Sequence, residues 1–362
     1  MVPLIRQCVE NHMSYVKKII DNDITENEMK ALVSKYALDI VGSCAFGLDL
    51  KVYDDSKNEF FEMAKSLTYS TPLRRIIYVL EFFIPGIKSI FKIKKDKRAD
   101  FFCNLVSNVI KMREDTLSAR RDFMDLMIEL RKEGKAIKRI NDAILEIEIN
   151  NEMITSQAFL FFVAGFEATS SSIAYILYEL ALHPDIQSRL YKEISSVSDK
   201  YNGVLEFEAL ADMTYFNMVF YEAVRKNANP FYLSRVASSD YMLPEENLLI
   251  EKGTLVLISY GGVNKNPEYW ENPDEFNPEN FSVENMKNKP QCSEIIFSAG
   301  PRNCLGTRFA ELQNMLYIAE FLKNFKVEAC SKTVKSLEFD PKYISTTKHG
   351  IWIKILRRDS NE

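Results

Sequence analysis

Residues 297–306 read Phe297-Ser298-Ala299-Gly300-Pro301-Arg302-Asn303-Cys304-Leu305-Gly306, with helix-forming sequence following from about Thr307 to Phe325. A cysteine serves as an anionic metal ligand only if its thiolate is stabilised and its loop is held rigid. Gly300 and Gly306 flank Cys304 at −4 and +2, permit backbone shapes that a Cβ forbids, and let a flat ligand approach closely. Arg302 carries the forked donor geometry that meets an anionic group. Phe297 can pack near the sulfur, and the amides that open the following helix favour negative charge beside a thiolate. A buried structural cysteine in a glycine-containing loop is the simpler alternative. It explains none of this co-occurrence.

The rest of the chain is ordinary globular sequence. Its 362 residues carry 46 basic against 51 acidic side chains, a net charge of −5, and are 46% hydrophobic. That balance excludes disorder, collagen-like repeats and a basic nucleic-acid arm, so no nucleic-acid partner is expected. At roughly 150 residues per domain the length fits about two domains, although large single domains exist. Gly and Pro number 12 each against 24 Phe and 17 Tyr, which predicts a helix-rich interior filled by aromatics. The six cysteines form no CxxC, so reduced, cytosol-facing thiols are expected rather than a zinc ribbon or a disulfide scaffold. His12, His183 and His349 are far apart and match no metal-binding pattern. No signal peptide is visible, and apolar runs such as 158–166 fall short of the roughly 18 residues a membrane span needs. The chain opens directly on helical sequence, Pro3 to Ile20, which reads as the start of a fragment.

The first half reads as helices. Thr25 followed three residues later by Glu28 has capping-box spacing and predicts a helix from there to Gly42. Residues 73–90 are apolar and aromatic around Pro85–Gly86, and 92–98 are basic at five of seven positions. Two readings stay open there: a core helix, turn and solvated face, or a surface resting on an anionic membrane. A long helix fits Thr155 to about Leu182, stopped by Pro184, and between 155 and 178 its only formal charge is Glu167. A buried carboxylate is costly unless paired or functional. Helices continue over 184–197 and 214–226, then short strands appear within 248–258 and 350–355. The sum is mainly α with small β-sheets, an α+β class: mostly helical over 1–226, mixed β over 227–362.

The 297–306 stretch resembles the haem loop FxxGxRxCxG of the cytochrome P-450 family at all five fixed positions. The resemblance implies that Cys304 is the proximal thiolate on haem iron, the chain's cofactor and metal, with Phe297, Gly300, Arg302 and Gly306 shaping its seat. Two further signatures stand in family order. Glu222-Ala-Val-Arg225 fits ExxR, whose i,i+3 spacing puts carboxylate and guanidinium on one helix face. Arg235 then falls at the position that contacts a haem propionate. Ala164-Gly165-Phe166-Glu167-Ala168-Thr169 is similar to the oxygen-binding AGx(D/E)T pattern. By resemblance Ala164 and Gly165 border the cofactor, Gly165 leaves room for dioxygen and loosens the helix, and Glu167 and Thr169 serve proton delivery. Phe161, Phe162 and Phe166 are read either as distal-pocket lining or as plain core. The likeness covers essentially the whole chain as one domain, 1–362. It looks closest to the insect microsomal xenobiotic-metabolising branch through VGSCAFGL (41–48), DFMDLMIELR (122–131), FFVAGFE (161–167) and LYELALHP (177–184).

Departures bear on activity more than on fold. The threonine expected after the acid is Ala168, and Thr169, one residue on, is turned by about 100° around the helix. Asn227-Ala228-Asn229 stands where a proline pair is usual, and Asn280 replaces the arginine of PxxFxPERF. That arginine completes a charge network with ExxR, so Glu222 and Arg225 are expected to lack a third partner. The family's membrane anchor, first strands, early helices and WxxxR helix find no match here, and the chain reads as N-terminally incomplete.

Three functions follow as expectations. The first is a haem-dependent monooxygenase that takes electrons from an NADPH–cytochrome P-450 reductase and inserts one oxygen of O2 into a lipophilic substrate. It would work at the cytoplasmic face of the endoplasmic reticulum membrane, with peripheral contact through 73–98. The second is a haem-thiolate isomerase or dehydratase, which Ala168 allows. The third is an inactive fragment with weak or no haem binding.

Overall fold

The computed structural model describes all residues except 54–58, 69–75, 78–79, 81–96, 115–119, 141–142, 228–231, 341–345 and 359–362. Helices α1 (Val2–Asp21), α2 (Met29–Val41), α3 (Glu59–Thr68), α4 (Lys97–Glu114) and α5 (Phe123–Glu133) come first, and a single π-helical turn over Gly42–Phe46 ends α2. Then come α6 (Asn151–Leu182), α7 (Pro184–Lys200), α8 (Phe207–Ala211) and α9 (Thr214–Lys226). The short α10 (Tyr260–Asn264) and α11 (Val283–Lys287) precede α12 (Thr307–Asn324), which follows the cysteine loop.

Helix α6 starts a turn earlier than its apolar pattern, because Asn150 caps it by accepting from Met153 N at 2.9 Å. It ends at Leu182 because Pro184 opens α7. Among the described residues α6 is the one helix long and apolar enough to cross a membrane, and its place is the centre of a helical bundle. Helix α2 lies along it, and α12 packs on α1, α6 and α7. Tyr36, Phe46, Phe162, Phe216, Tyr317 and Phe321 are all fully buried, so aromatics do fill the interior.

The strands are small and antiparallel. Strands β1 (Glu26–Glu28), β8 (Phe325–Glu328) and β9 (Trp352–Arg357) form one sheet in the order β1-β9-β8, with Glu26 opposite Lys354 and Phe325 opposite Arg357. Strands β2 (Lys135–Ile140) and β3 (Ala143–Glu148) pair with each other. Strand β4 (Tyr232–Val236) pairs with β7 (Leu255–Ser259), and β5 (Tyr241–Leu243) with β6 (Leu248–Ile250).

Two local expectations are overturned. Residues 26–28 form a strand and not the first helical turn, because Ile355 N donates to Thr25 O at 2.8 Å and holds that backbone in the sheet. Glu28 is therefore the N-cap of α2, accepting from Ala31 N at 2.6 Å, and it also takes the Ile351 N–H at 2.8 Å. Strand is not confined to the last third either, since β1 and the β2–β3 pair lie in the first half. The suspected membrane-contact stretch 73–98 falls almost wholly outside the described residues, as does most of the 227–229 departure.

Candidate functional site

The cysteine loop is pinned from both sides. Cys304 N donates to Phe297 O at 2.8 Å, Asn303 N to Gly300 O at 3.0 Å, and Thr307 Oγ1 to Cys304 O at 2.9 Å. Gly300 has φ +78°, a left-handed conformation that disfavours any side chain, and open space lies where its Cβ would be. Gly306 differs: its φ is −91° and an added Cβ would meet the Cys304 sulfur at an ordinary 3.9 Å. The close approach expected at both glycines is thus demanded by backbone shape only at Gly300. Helix α12 starts at Thr307, so Cys304 sits just ahead of its N-terminal amides, with the thiol exposed.

Helix α9 carries the loop's support. Arg225 forks onto Glu222, Nε to Oε2 at 2.7 Å and a terminal nitrogen to Oε1 at 2.8 Å, and both residues are fully buried. The guanidinium also donates to Asn264 O at 2.8 Å and Pro273 O at 3.0 Å, which ties α9 to the irregular chain ahead of the loop. The expected gap at position 280 does not exist. Asn280 Nδ2 donates to Glu222 Oε1 at 3.0 Å and Asn277 N donates to the same oxygen at 3.1 Å. A short amide close at hand thus replaces a long guanidinium. Two residues earlier on α9, Phe220 stacks on Phe297 at 6.2 Å between ring centroids, and Tyr221 meets it edge-on at 6.0 Å. Phe297 therefore ties the loop to α9. Tyr221 also donates to Glu311 of α12; burial and that carboxylate push its phenol well above the usual range, so it remains a donor.

Two arginines flank the loop. Arg235, on β4, donates to Ser298 Oγ at 3.4 Å and so reaches the loop's start. Arg302 is exposed and has no ion-pair partner among the described residues. Exposed apolar surface lies on the same segments: Leu305 is 90% exposed, and Tyr232, Val236 and Leu257 stand clear of the β4–β7 pair. A thiol donor, two cations and bare apolar surface fit a flat, hydrophobic, doubly anionic ligand, which is what haem presents.

Helix α6 departs from expectation at three positions. Gly165 does not open a space, because a Cβ there would lie 2.9 Å from Val41 Cγ2. Its missing side chain lets α2 approach, and the helix runs unbroken through it. Glu167 is not a lone charge: Lys30 of α2 donates to it, and each is only 16% exposed. The hydroxyl of Thr169 is buried and accepts from Gln313 Nε2 at 2.7 Å, so it faces α12. The solvent-exposed line on this helix is Leu160, Ala164 and Ala168, spaced i, i+4, i+8. Phe162 and Phe166 are core, and Phe161 packs on Phe123 at 4.1 Å.

Lys30, Gln313 and Asn280 are the participants that sequence reading missed. Lys30 and Gln313 lie 137 and 144 residues from the groups they bind, with no motif to announce them. Asn280 was identifiable as the odd residue in PxxFxPERF, but not as an adequate partner.

The chain matches the family model described as cytochrome P450 over residues 1–355. It is 34% identical to cytochrome P450 6B1 of Papilio polyxenes, over 99% of this chain and 72% of the relative. It is 33% identical to cytochrome P450 6B7 of Helicoverpa armigera, over 99% of this chain and 71% of the relative. Identity to probable cytochrome P450 6a14 of Drosophila melanogaster is 35%, over 91% of this chain and 66% of the relative.

Proposed function

The chain belongs to the cytochrome P450 family, and on that premise we propose that it seats haem on Cys304 and oxidises a lipophilic small molecule with electrons from an NADPH-dependent reductase. The family and its insect relatives make the protein a haem-thiolate oxidoreductase of monooxygenase type. When bound, the haem supplies the activation of O2 that no side chain provides.

What this chain contributes is binding, orientation and proton control. Cys304 would give the sulfur ligand, kept in place by the Phe297 carbonyl and, through the Phe297 ring, by Phe220 and Tyr221 of α9, the helix that carries the buried Glu222–Arg225 pair. Arg235 and Arg302 would hold the two propionates. Ala164 and Ala168 would border the cofactor with small side chains on the exposed line of α6. Glu167 would serve proton delivery toward that line while its Oε1 accepts from Lys30 Nζ. With Thr169 turned toward Gln313, no threonine hydroxyl of α6 takes the place that Ala168 leaves open.

The observation that carries the reading is an exposed thiol in a doubly pinned loop, backed by the buried fork on α9. Work at the cytoplasmic face of the endoplasmic reticulum membrane, with peripheral contact through 73–98, and a single domain over 1–362 belong to the same proposal. The test is the difference spectrum of the haem-reconstituted, reduced protein under carbon monoxide. A thiolate-type Soret band that disappears in Cys304→Ala is expected. The same spectrum in both proteins would refute the ligand assignment.

A further inference from the structure

Four tyrosines and one histidine meet in the bundle core, away from the cysteine loop. His12 on α1, Tyr36 on α2 and Tyr317 on α12 are each completely buried. The Tyr36 and Tyr317 rings lie 4.5 Å apart, and His12 lies 5.4 Å from Tyr317 and 5.8 Å from Tyr53, which itself stands 5.2 Å from Tyr15. Plain packing accounts for the rings but not for the polar geometry among them.

The hydrogen bonds fix the proton positions. His12 Nε2 lies 3.1 Å from Leu32 O, and a carbonyl only accepts, so Nε2 bears the ring hydrogen. Nδ1 is then a bare lone pair, and Tyr317 OH, 3.1 Å away, must donate to it. Burial lowers the imidazole from its ordinary value to about 4, so it is a neutral base at physiological pH. A buried phenol thus points its proton at a buried, neutral, vacant base.

We propose that Tyr317 and His12 form a proton-coupled one-electron donor, a redox-active tyrosine that yields an electron to a strongly oxidising centre in the same chain. The step balances. The Tyr317 ring gives one electron to the oxidant, its O–H bond breaks, and the proton forms an N–H bond at His12 Nδ1. A neutral phenoxyl radical and an imidazolium result, and the oxidant is reduced by one electron. Losing the electron while keeping the proton would leave a cationic ring in an apolar core, which is strongly unfavourable. The short proton move places that charge on His12 Nδ1 instead, a far stronger base than an oxidised phenol even in the core. Asp39 accepts from Tyr53 OH at 3.4 Å on the far side of the cluster, while Lys35 sets a like charge near His12 that opposes the imidazolium.

A path joins this pair to the proposed site. Thr169, beside Ala168, accepts from the Gln313 side chain; the Gln313 main-chain carbonyl accepts from Tyr36 OH at 3.1 Å; and the Tyr36 ring lies tilted against Tyr317. The natural oxidant is then an oxidised haem, a point that rests on the haem reading above. An enzyme without the Ala168-position hydroxyl gains from an exit for oxidising equivalents that miss the substrate.

The test supplies an oxidant of its own. The whole chain, with 3-fluorotyrosine placed at position 317, is oxidised by a photogenerated ruthenium(III) polypyridyl and followed by electron paramagnetic resonance. A long-lived phenoxyl signal with fluorine splitting is expected, with loss of that signal in Tyr317→Phe and a shortened lifetime in His12→Phe. The fluorinated residue is nearly isosteric, so its spectrum reads the radical's location without asking the fold to tolerate a deletion. A signal without fluorine splitting, or one unchanged in His12→Phe, overturns the proposal. Peroxide added to the haem-loaded protein should raise the same split signal. If it appears with ruthenium alone, the haem is overturned as natural oxidant while the pair stands.

Discussion

Asn280 Nδ2 sits 3.0 Å from Glu222 Oε1 and completes a buried carboxylate that already holds the Arg225 fork. The oxygen nearest position 280 has three donors, from Arg225, Asn277 and Asn280, and needs no second guanidinium. The resemblance alone predicts better haem retention from Asn280→Arg. The structure predicts the reverse, because Asn280 is only 7% exposed and a longer side chain must displace its neighbours at about 1–3 kcal/mol. Asn280→Ala should lose about 1.5–3 kcal/mol, the worth of a hydrogen bond to a charged group. Urea unfolding and the haem-loss rate on mild heating measure both, and faster retention gains in Asn280→Arg would show the network to be incomplete.

Gly165 and Val41 form a second pair whose separation has energetic content, at 2.9 Å from an added Cβ. Gly165→Ala should therefore destabilise by about 1–3 kcal/mol through overpacking, despite alanine's higher helix propensity. Combining it with Val41→Ala should recover much of the loss. A double-mutant cycle with no coupling energy would show that the helices do not touch there.

The His12 ring makes stability depend on acid. Its ordinary value of 6.5 falls to about 4 on folding, with burial the largest cause. Between those values the unfolded chain binds a proton that the folded chain refuses, so stability is full above pH 6.5 and falls as the pH drops toward 4. The drop amounts to about 3 kcal/mol if nothing else titrates. Unfolding midpoints at pH 7 and pH 5 should differ in the native protein, and the difference should shrink in His12→Gln.

Ala168 lies on the exposed line of α6, where a threonine side chain meets no packed neighbour that must move. Ala168→Thr should leave thermal stability nearly unchanged and raise the product formed per NADPH consumed. Coupling that stays flat would mean that proton delivery does not use this position.

The cysteine loop, the ExxR helix, the long apolar helix and the α+β class were all legible in residue order, because each depends on neighbours a few positions apart. Glycine at a left-handed turn, proline at a helix start and i,i+3 charge pairs are local physics. Partnership across the bundle is not. Glu167 looked like a lone charge until Lys30 was brought beside it, Thr169 looked like a spare hydroxyl until Gln313 claimed it, and Gly165 looked like an opening until Val41 filled it. Thr25 read as a cap because nothing nearby in the chain told of the Ile355 amide that draws it into a sheet. Such outcomes depend on which faces of distant helices and strands the core presses together, and the long-range packing of the hydrophobic interior decides that.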